Sequence, residues 1–161
     1  MPQSVAVYVR RQGASAAVIN MALNPALAWV GNRGMRFMPL RSIVSDAAVT
    51  SVVLSLLVAL FVTSGVHRDL KAGRVRAVSG FSREGRLLSR LPGHSWALGL
   101  MLGFGIAFVL APLTCGLFHL AGIPGLCFAR FALFKAVYTG LLGFVVTRWV
   151  ILRQLLRVSL T

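Results

Sequence analysis

The chain has 161 residues, of which 57% are apolar and only 12% are charged, with a mean hydropathy of +0.81. A soluble domain usually carries about 25% charged residues, so this composition excludes an ordinary soluble enzyme. Seventeen Lys and Arg residues outnumber three acidic ones, which gives a net charge of +14. Because these cations lie between long apolar runs, they indicate an integral membrane protein rather than a nucleic-acid-binding one.

The first apolar stretch, residues 14–30, is long enough for a membrane span, since about 20 helical residues cross the hydrocarbon core of a bilayer. Two alternatives stay open: an interfacial helix, or a signal peptide cleaved at the A-x-A sequence of residues 26–28. Asn20 and Asn24 make a poor apolar core for a signal peptide. We therefore predict a spanning helix.

Three more spans are predicted farther along the chain. The residues after Asp46 carry no charge for a full span, and residues 131–146 are apolar apart from Lys135. Residues 96–129 form an uncharged run too long for one span, and the Gly/Pro cluster at 121–125 divides it by a turn. The predicted spans are residues 14–30, 46–66, 96–117 and 128–147. The fold class that follows is an all-α integral membrane four-helix bundle, a single domain (1–161) of two antiparallel transmembrane hairpins.

The predicted loops differ in basic charge. The N-terminus, the loop of residues 67–95 and the tail of residues 148–161 hold 12 of the 17 Lys and Arg residues, whereas the other two loops hold four. Because basic loops stay on the cytoplasmic side, we predict a multi-pass protein of the bacterial inner membrane with both termini in the cytoplasm.

Seven cations lie in the second loop: Arg68, Lys71, Arg74, Arg76, Arg83, Arg86 and Arg90. They suffice to fix the topology, and they also form a candidate surface for anionic lipid headgroups or an acidic protein partner. No nucleic-acid-binding motif accompanies them. The tail is amphipathic, with arginines among apolar residues, and we expect it either to lie along the headgroups or to contact another subunit.

Lys135 is placed about 12 Å inside the outer end of the last predicted span. A membrane-embedded ammonium group usually has a polar partner, and Asp46 and Asn24 lie at similar depth. We expect pairing with one of these two; snorkelling to the headgroups and binding of an anion are the alternatives. Asn20, one helical turn from Asn24, completes this predicted intramembrane polar cluster.

Small residues mark two predicted helix-packing faces. Gly99 and Gly103 form a G-x-x-x-G pattern in the third span, and Gly140 and Gly143 form a notch in the fourth. Because small residues let helices approach closely, we expect packing within the second hairpin, or otherwise an oligomer interface.

The residue patterns of common enzyme sites are missing from the sequence. It has no pair of histidines at matching depth for haem, no acidic pair, no G-x-S-x-G, no H-E-x-x-H and no phosphate loop. The spacing of Cys115 and Cys127 fits neither a redox nor a zinc motif, so they are either bridged on the outer side or unpaired and buried. We therefore predict no enzymatic activity, no cofactor and no metal.

Two passages carry a family resemblance. The first consists of residues 18–29, the arginine-containing loop that follows them, and residues 42–46. The second consists of residues 131–138, which include the sequence Phe-Lys-Ala. Together they resemble a broad group of small four-helix proteins of the bacterial inner membrane, for which no activity is established. The resemblance implies four helices and no particular reaction.

Two functions remain from these observations. The first is a non-enzymatic accessory or assembly subunit that binds a larger membrane complex or further copies of itself. The alternative is a small oligomeric permease or channel, with Lys135 and the asparagines facing a cavity for an anion or another small solute.

Overall fold

The computed structural model describes residues 4–32, 34–75 and 91–158, without the side chains of residues 157 and 158. In this part of the chain the prediction of four helices is confirmed, and all four are long and apolar enough to cross a membrane. The helices are α1 (Val5–Gly31), α2 (Leu40–Lys71), α3 (Ser95–Leu120) and α4 (Phe128–Val158).

Every helix extends beyond the apolar stretch that predicted it. α1 begins nine residues before the predicted start at residue 14, and α4 continues eleven residues past the predicted end at residue 147. Neither extension contains a proline, so nothing in the backbone stops the helix where the hydropathy falls. Arg10 and Arg11 are consequently part of α1.

The central helices of the fold are α2 and α4. α2 packs most extensively against α3, α4 packs most extensively against α1, and α2 and α4 pack against each other. Near one end, the Tyr138 hydroxyl donates a hydrogen bond to the carbonyl of Ala47 (3.1 Å). Near the other end, Gln154 donates one to the Thr63 hydroxyl (3.3 Å). Both positions advance in the same direction, so α2 and α4 run parallel, with α1 and α3 at the periphery.

Two short strands connect the starts of the central helices. β1 (Phe37–Pro39) pairs antiparallel with β2 (Gly125–Cys127), and these strands lead directly into α2 and α4. Gly125 allows the close approach, since a Cβ there would meet the carbonyl oxygen of Met38. We call the end of the molecule that holds these strands the outer end, and the opposite end the inner end.

The glycine pairs contact helices from the other hairpin, so the expected packing within the second hairpin is wrong. A Cβ on Gly99 would lie 2.8 Å from Leu56 Cα of α2, and one on Gly103 would lie 2.7 Å from Val52 Cα. Gly140 and Gly143 pack in the same close way against α1. The strand pair explains this arrangement, because it places α2 beside α4 and so moves the hairpin partners apart.

The described part of the tail continues α4. It buries Ile151 and Leu155 with Val9 of α1 and Val66 of α2. Arg153 is 8% exposed and donates two hydrogen bonds to the Leu91 carbonyl, at 3.1 and 2.9 Å. One side of this part of the tail therefore packs on its own chain, and its contact with headgroups or another subunit stays a prediction.

We expect Gly103→Ala to destabilise the protein by about 1–3 kcal/mol, because the new methyl group would overlap the backbone of α2. Gly105→Ala is the matched control on the same helix, since a Cβ there meets no atom within 4 Å. The control should be neutral or slightly stabilising, because Ala favours a helix over Gly. Thermal unfolding in detergent measures both, and equal melting temperatures would contradict the close α2–α3 contact.

Candidate functional site

α1 and α2 follow each other in the chain, yet they enclose a groove instead of packing along their length. They meet at the outer end, where Ala28 and Ile43 share an apolar cluster with Phe131. They meet again at the inner end, where the Tyr8 hydroxyl donates a hydrogen bond to Asp69 (2.9 Å). Between these contacts lies a volume of about 820 Å³ lined by both helices and by Lys135 of α4. We call this volume the groove.

One wall of the groove, formed by α1, has polar side chains among its apolar ones. Six polar side chains of α1 and the residue after it line the groove: Tyr8, Gln12, Ser15, Asn20, Asn24 and Asn32. Most are three to five residues apart, which places them on one side of the helix. We call them the polar stripe.

The asparagines of the polar stripe bond mainly within α1. Asn20 Nδ2 donates to the Ala16 carbonyl (2.7 Å), and Asn24 Nδ2 lies 3.2 Å from both the carbonyl oxygen and Oδ1 of Asn20. Thr139 of α4 adds a hydrogen bond to the Asn20 carbonyl (3.0 Å). The amide groups thus face the groove with hydrogen bonds already made, which lowers the cost of placing them beside hydrocarbon.

The opposite wall of the groove is apolar in its middle and charged at its ends. Val53, Leu57 and Phe61 of α2 line the middle and are 50%, 48% and 75% exposed. Asp46 lies toward the outer end, and Arg68 lies at the inner end beside Asp69. The groove is therefore accessible from the side and has polar groups at both ends of an apolar face.

Lys135 and Asp46 form an ion pair in the outer half of the groove. The distance from Lys135 Nζ to Asp46 Oδ1 is 2.6 Å, and the side chains are 8% and 29% exposed. The ammonium group also lies 5.7 Å from the centre of the Phe131 ring, near enough for a cation–π contact. Of the arrangements left open by the sequence, the structure has the pair with Asp46, whereas the Asn24 amide bonds to Asn20. The positive charge of Lys135 is thereby compensated within the chain.

The inner end of the groove contains a second acid with two partners. Asp69 accepts hydrogen bonds from Tyr8 at Oδ2 and from Arg74 Nη1 at Oδ1, the latter at 3.1 Å. Arg68 is exposed at the mouth of the groove. Within the described residues it has no ion pair, because the neighbouring carboxylate is already bonded on both oxygens.

We expect the Lys135–Asp46 pair to respond asymmetrically to mutation. Asp46→Ala should cost roughly 3–5 kcal/mol, because it leaves a nearly fully buried ammonium group without its partner. Lys135→Met should cost much less, because the remaining carboxylate is partly exposed and methionine fills the same space. The double variant should recover most of the stability lost by Asp46→Ala.

Thermal unfolding in detergent of the single and double variants measures this coupling. Lys71→Met, which removes an exposed lysine of α2, is the control for loss of charge alone. Additive losses in the double variant would contradict a stabilising pair.

The remaining residues predicted from the sequence are distributed as follows. Lys71 is exposed at the inner end, and Arg74 is exposed but bonded to Asp69. Cys115 and Cys127 are free and exposed, so the expectations of a bridge and of burial are both wrong. The other four cations of the basic loop lie outside the described residues: Arg76, Arg83, Arg86 and Arg90.

The inner part of the groove lies outside the spans predicted from the sequence. Tyr8 and Gln12 precede the predicted start of the first span, and Asp69 follows the predicted end of the second. The recurrence of polar residues every three to five positions from Tyr8 to Asn24 was a usable signal. It required extending the helix through Arg10 and Arg11.

Comparison of the chain with protein-family models, with curated proteins and with solved structures finds no match. Among the described residues, no three His, Cys, Asp or Glu side chains are grouped as they would be to hold a metal ion. The shape and charge of the groove are therefore the features from which a function can be inferred.

Proposed function

We propose that this chain is a non-enzymatic membrane protein that binds a lipid-like amphiphile in the groove, as a small permease or carrier for that molecule. The observation that carries the proposal is the groove itself, which is accessible from the side and has an apolar wall of α2 between polar groups at its two ends. An amphiphile whose headgroup lies at one of these ends would place its chain along the apolar wall. The binding space lies within one chain, so this proposal does not require the oligomer on which the permease hypothesis first depended.

The size of the groove favours a narrow molecule over a protein helix. The groove extends from Tyr8 to Asn32, a length of about 36 Å at about 1.5 Å per helical residue. The contacts between α1 and α2 at the two ends of the groove limit the distance between these helices. A helix about 10–12 Å in diameter would require α1 to move away from α2, whereas an extended acyl chain is much narrower.

The ion pair in the groove argues against a simple anion site at Lys135. An anion there would compete with Asp46, which is already 2.6 Å from the ammonium group. It would also have to be desolvated beside a carboxylate of the same sign. The proposed ligand is therefore not a free anion bound at Lys135.

We also propose that the chain lies in the bacterial inner membrane with both termini in the cytoplasm. Support comes from the charge count, since the N-terminus, the basic loop and the tail hold most of the cations. In this orientation the inner end of the groove, with Arg68, opens at the cytoplasmic leaflet.

Blocking the middle of the groove should remove the bound amphiphile. We expect Leu57→Trp to reduce the amount of lipid that co-purifies with the protein in mild detergent at least fivefold, because the larger indole would occupy the groove at a position that Leu57 lines. Lipid per chain is measured by native mass spectrometry.

Leu60→Trp is the matched control, because Leu60 is 40% exposed on the same helix but does not line the groove. Both variants should unfold at similar temperatures. Equal lipid retention by the two variants would overturn the proposed function.

A second candidate is the accessory or assembly subunit, and the exposure of the peripheral helices favours it. α3 leaves Phe104, Phe108 and Leu120 exposed at 62%, 83% and 85%, and α1 packs extensively only against α4. These apolar faces offer contact area to another membrane protein as well as to lipid.

If the chain is an accessory subunit, purification in mild detergent should yield a complex with a larger partner in fixed stoichiometry. Mass measurement of the purified complex tests this. A mass that corresponds to the chain alone, or to copies of the chain only, would contradict the accessory role.

A further inference from the structure

We infer that the ligand of the groove is an anionic phospholipid whose phosphate binds Arg68 and Gln12 at the inner end. This inference rests on the proposed function and adds the class of headgroup and the direction in which the lipid lies. It starts from the difference in charge between the two ends of the groove.

At the outer end, the charged groups that face the groove neutralise each other. Lys135 and Asp46 are paired at 2.6 Å, and the neighbouring Asn24 amide bonds to Asn20. This end therefore has no net charge to select a headgroup.

Among the described residues that line the groove at its inner end, one positive charge, that of Arg68, has no ion pair. Asp69 is the acid that faces the groove there, and its two oxygens accept hydrogen bonds from Tyr8 and Arg74. Arg68 lies beside this carboxylate without an ion pair of its own. A guanidinium group is well suited to a phosphate, because it donates two parallel hydrogen bonds.

Gln12 supplies a second donor on the facing wall. It is half-buried, lines the groove one helical turn from Tyr8, and makes no hydrogen bond to another described residue. Arg68 on α2 and Gln12 on α1 thus offer N–H groups from both sides of the groove mouth. The Tyr8 hydroxyl directs its proton to Asp69 and is not needed as a donor.

The apolar wall then matches the acyl chain in length. From Arg68 to Leu57 the helix rises about 16 Å, close to half of a hydrocarbon core of about 30 Å. A chain that starts from a phosphate at Arg68 passes Phe61 and reaches Leu57 near the middle of the membrane. One acyl chain of a lipid in that leaflet therefore fills the inner half of the groove, and its second chain lies outside, past the open side.

The test compares phosphatidylglycerol with phosphatidylcholine of identical acyl chains, each added to the full-length protein in mild detergent. Native mass spectrometry measures the bound lipid as a function of lipid concentration. Wild-type protein should retain phosphatidylglycerol in preference to phosphatidylcholine. Arg68→Gln should weaken phosphatidylglycerol binding about fivefold, which corresponds to about 1 kcal/mol for one cation at a membrane surface.

Lys71→Gln is the matched control, since Lys71 carries the same charge in the last turn of α2 but does not line the groove. It should keep the affinity and the preference of the wild type. Equal losses in both variants would overturn the inference, because they would show attraction by diffuse surface charge.

Equal binding of the two lipids by wild-type protein would also overturn the inference, while leaving the amphiphile function in place if Leu57→Trp still abolishes retention. If the proposed function itself is wrong, the result is different: Leu57→Trp then leaves the retention of both lipids unchanged.

Discussion

The parallel contact between α2 and α4 determines where every other element lies. Lys135 and Asp46 fix its outer part, and the hydrogen bond from Gln154 to Thr63 fixes its inner part. This ion pair holds the register of the two helices, because any shift along them would leave the nearly buried ammonium group of Lys135 without its carboxylate partner. α2 covers one side of α4, and α1 packs on another side, against the notch formed by Gly140 and Gly143.

The groove follows from this arrangement of partners. α1 is attached along α4 through Gly140 and Gly143 and touches α2 at its two ends. The space between α1 and α2 is thus left open because α1 packs along α4 instead of along α2. The internal hydrogen bonds of Asn20 and Asn24 lower the cost of keeping these two amides in that space beside hydrocarbon.

Sequence reasoning predicted the four helices because each contains an uninterrupted apolar stretch, and it brought Lys135 and Asp46 together because both lie at similar depth. It could not predict which helices pack together. That choice depends on β1 and β2, each only three residues long and without a sequence pattern of its own. The predicted start of the first helix, residue 14, was set by hydropathy alone. The helical backbone hydrogen bonds of α1 begin earlier, at Val5, and this extension brings Tyr8 to Asp69.

The pairing of the first helix with the last has a consequence for how the chain is made. The hydrogen bond from Thr139 to Asn20 joins residues 119 positions apart. At a synthesis rate of about 5–20 residues per second, α1 exists for roughly 6–24 s before the residues that hold it have been made. In a bilayer, α1 must therefore persist during that time without α4, with contacts to α2 at its two ends. The side-chain amides of Asn20 and Asn24 already have hydrogen bonds within α1, which lowers the cost of placing them in the membrane before α4 is made. The same hydrogen bonds later line the groove of the complete protein.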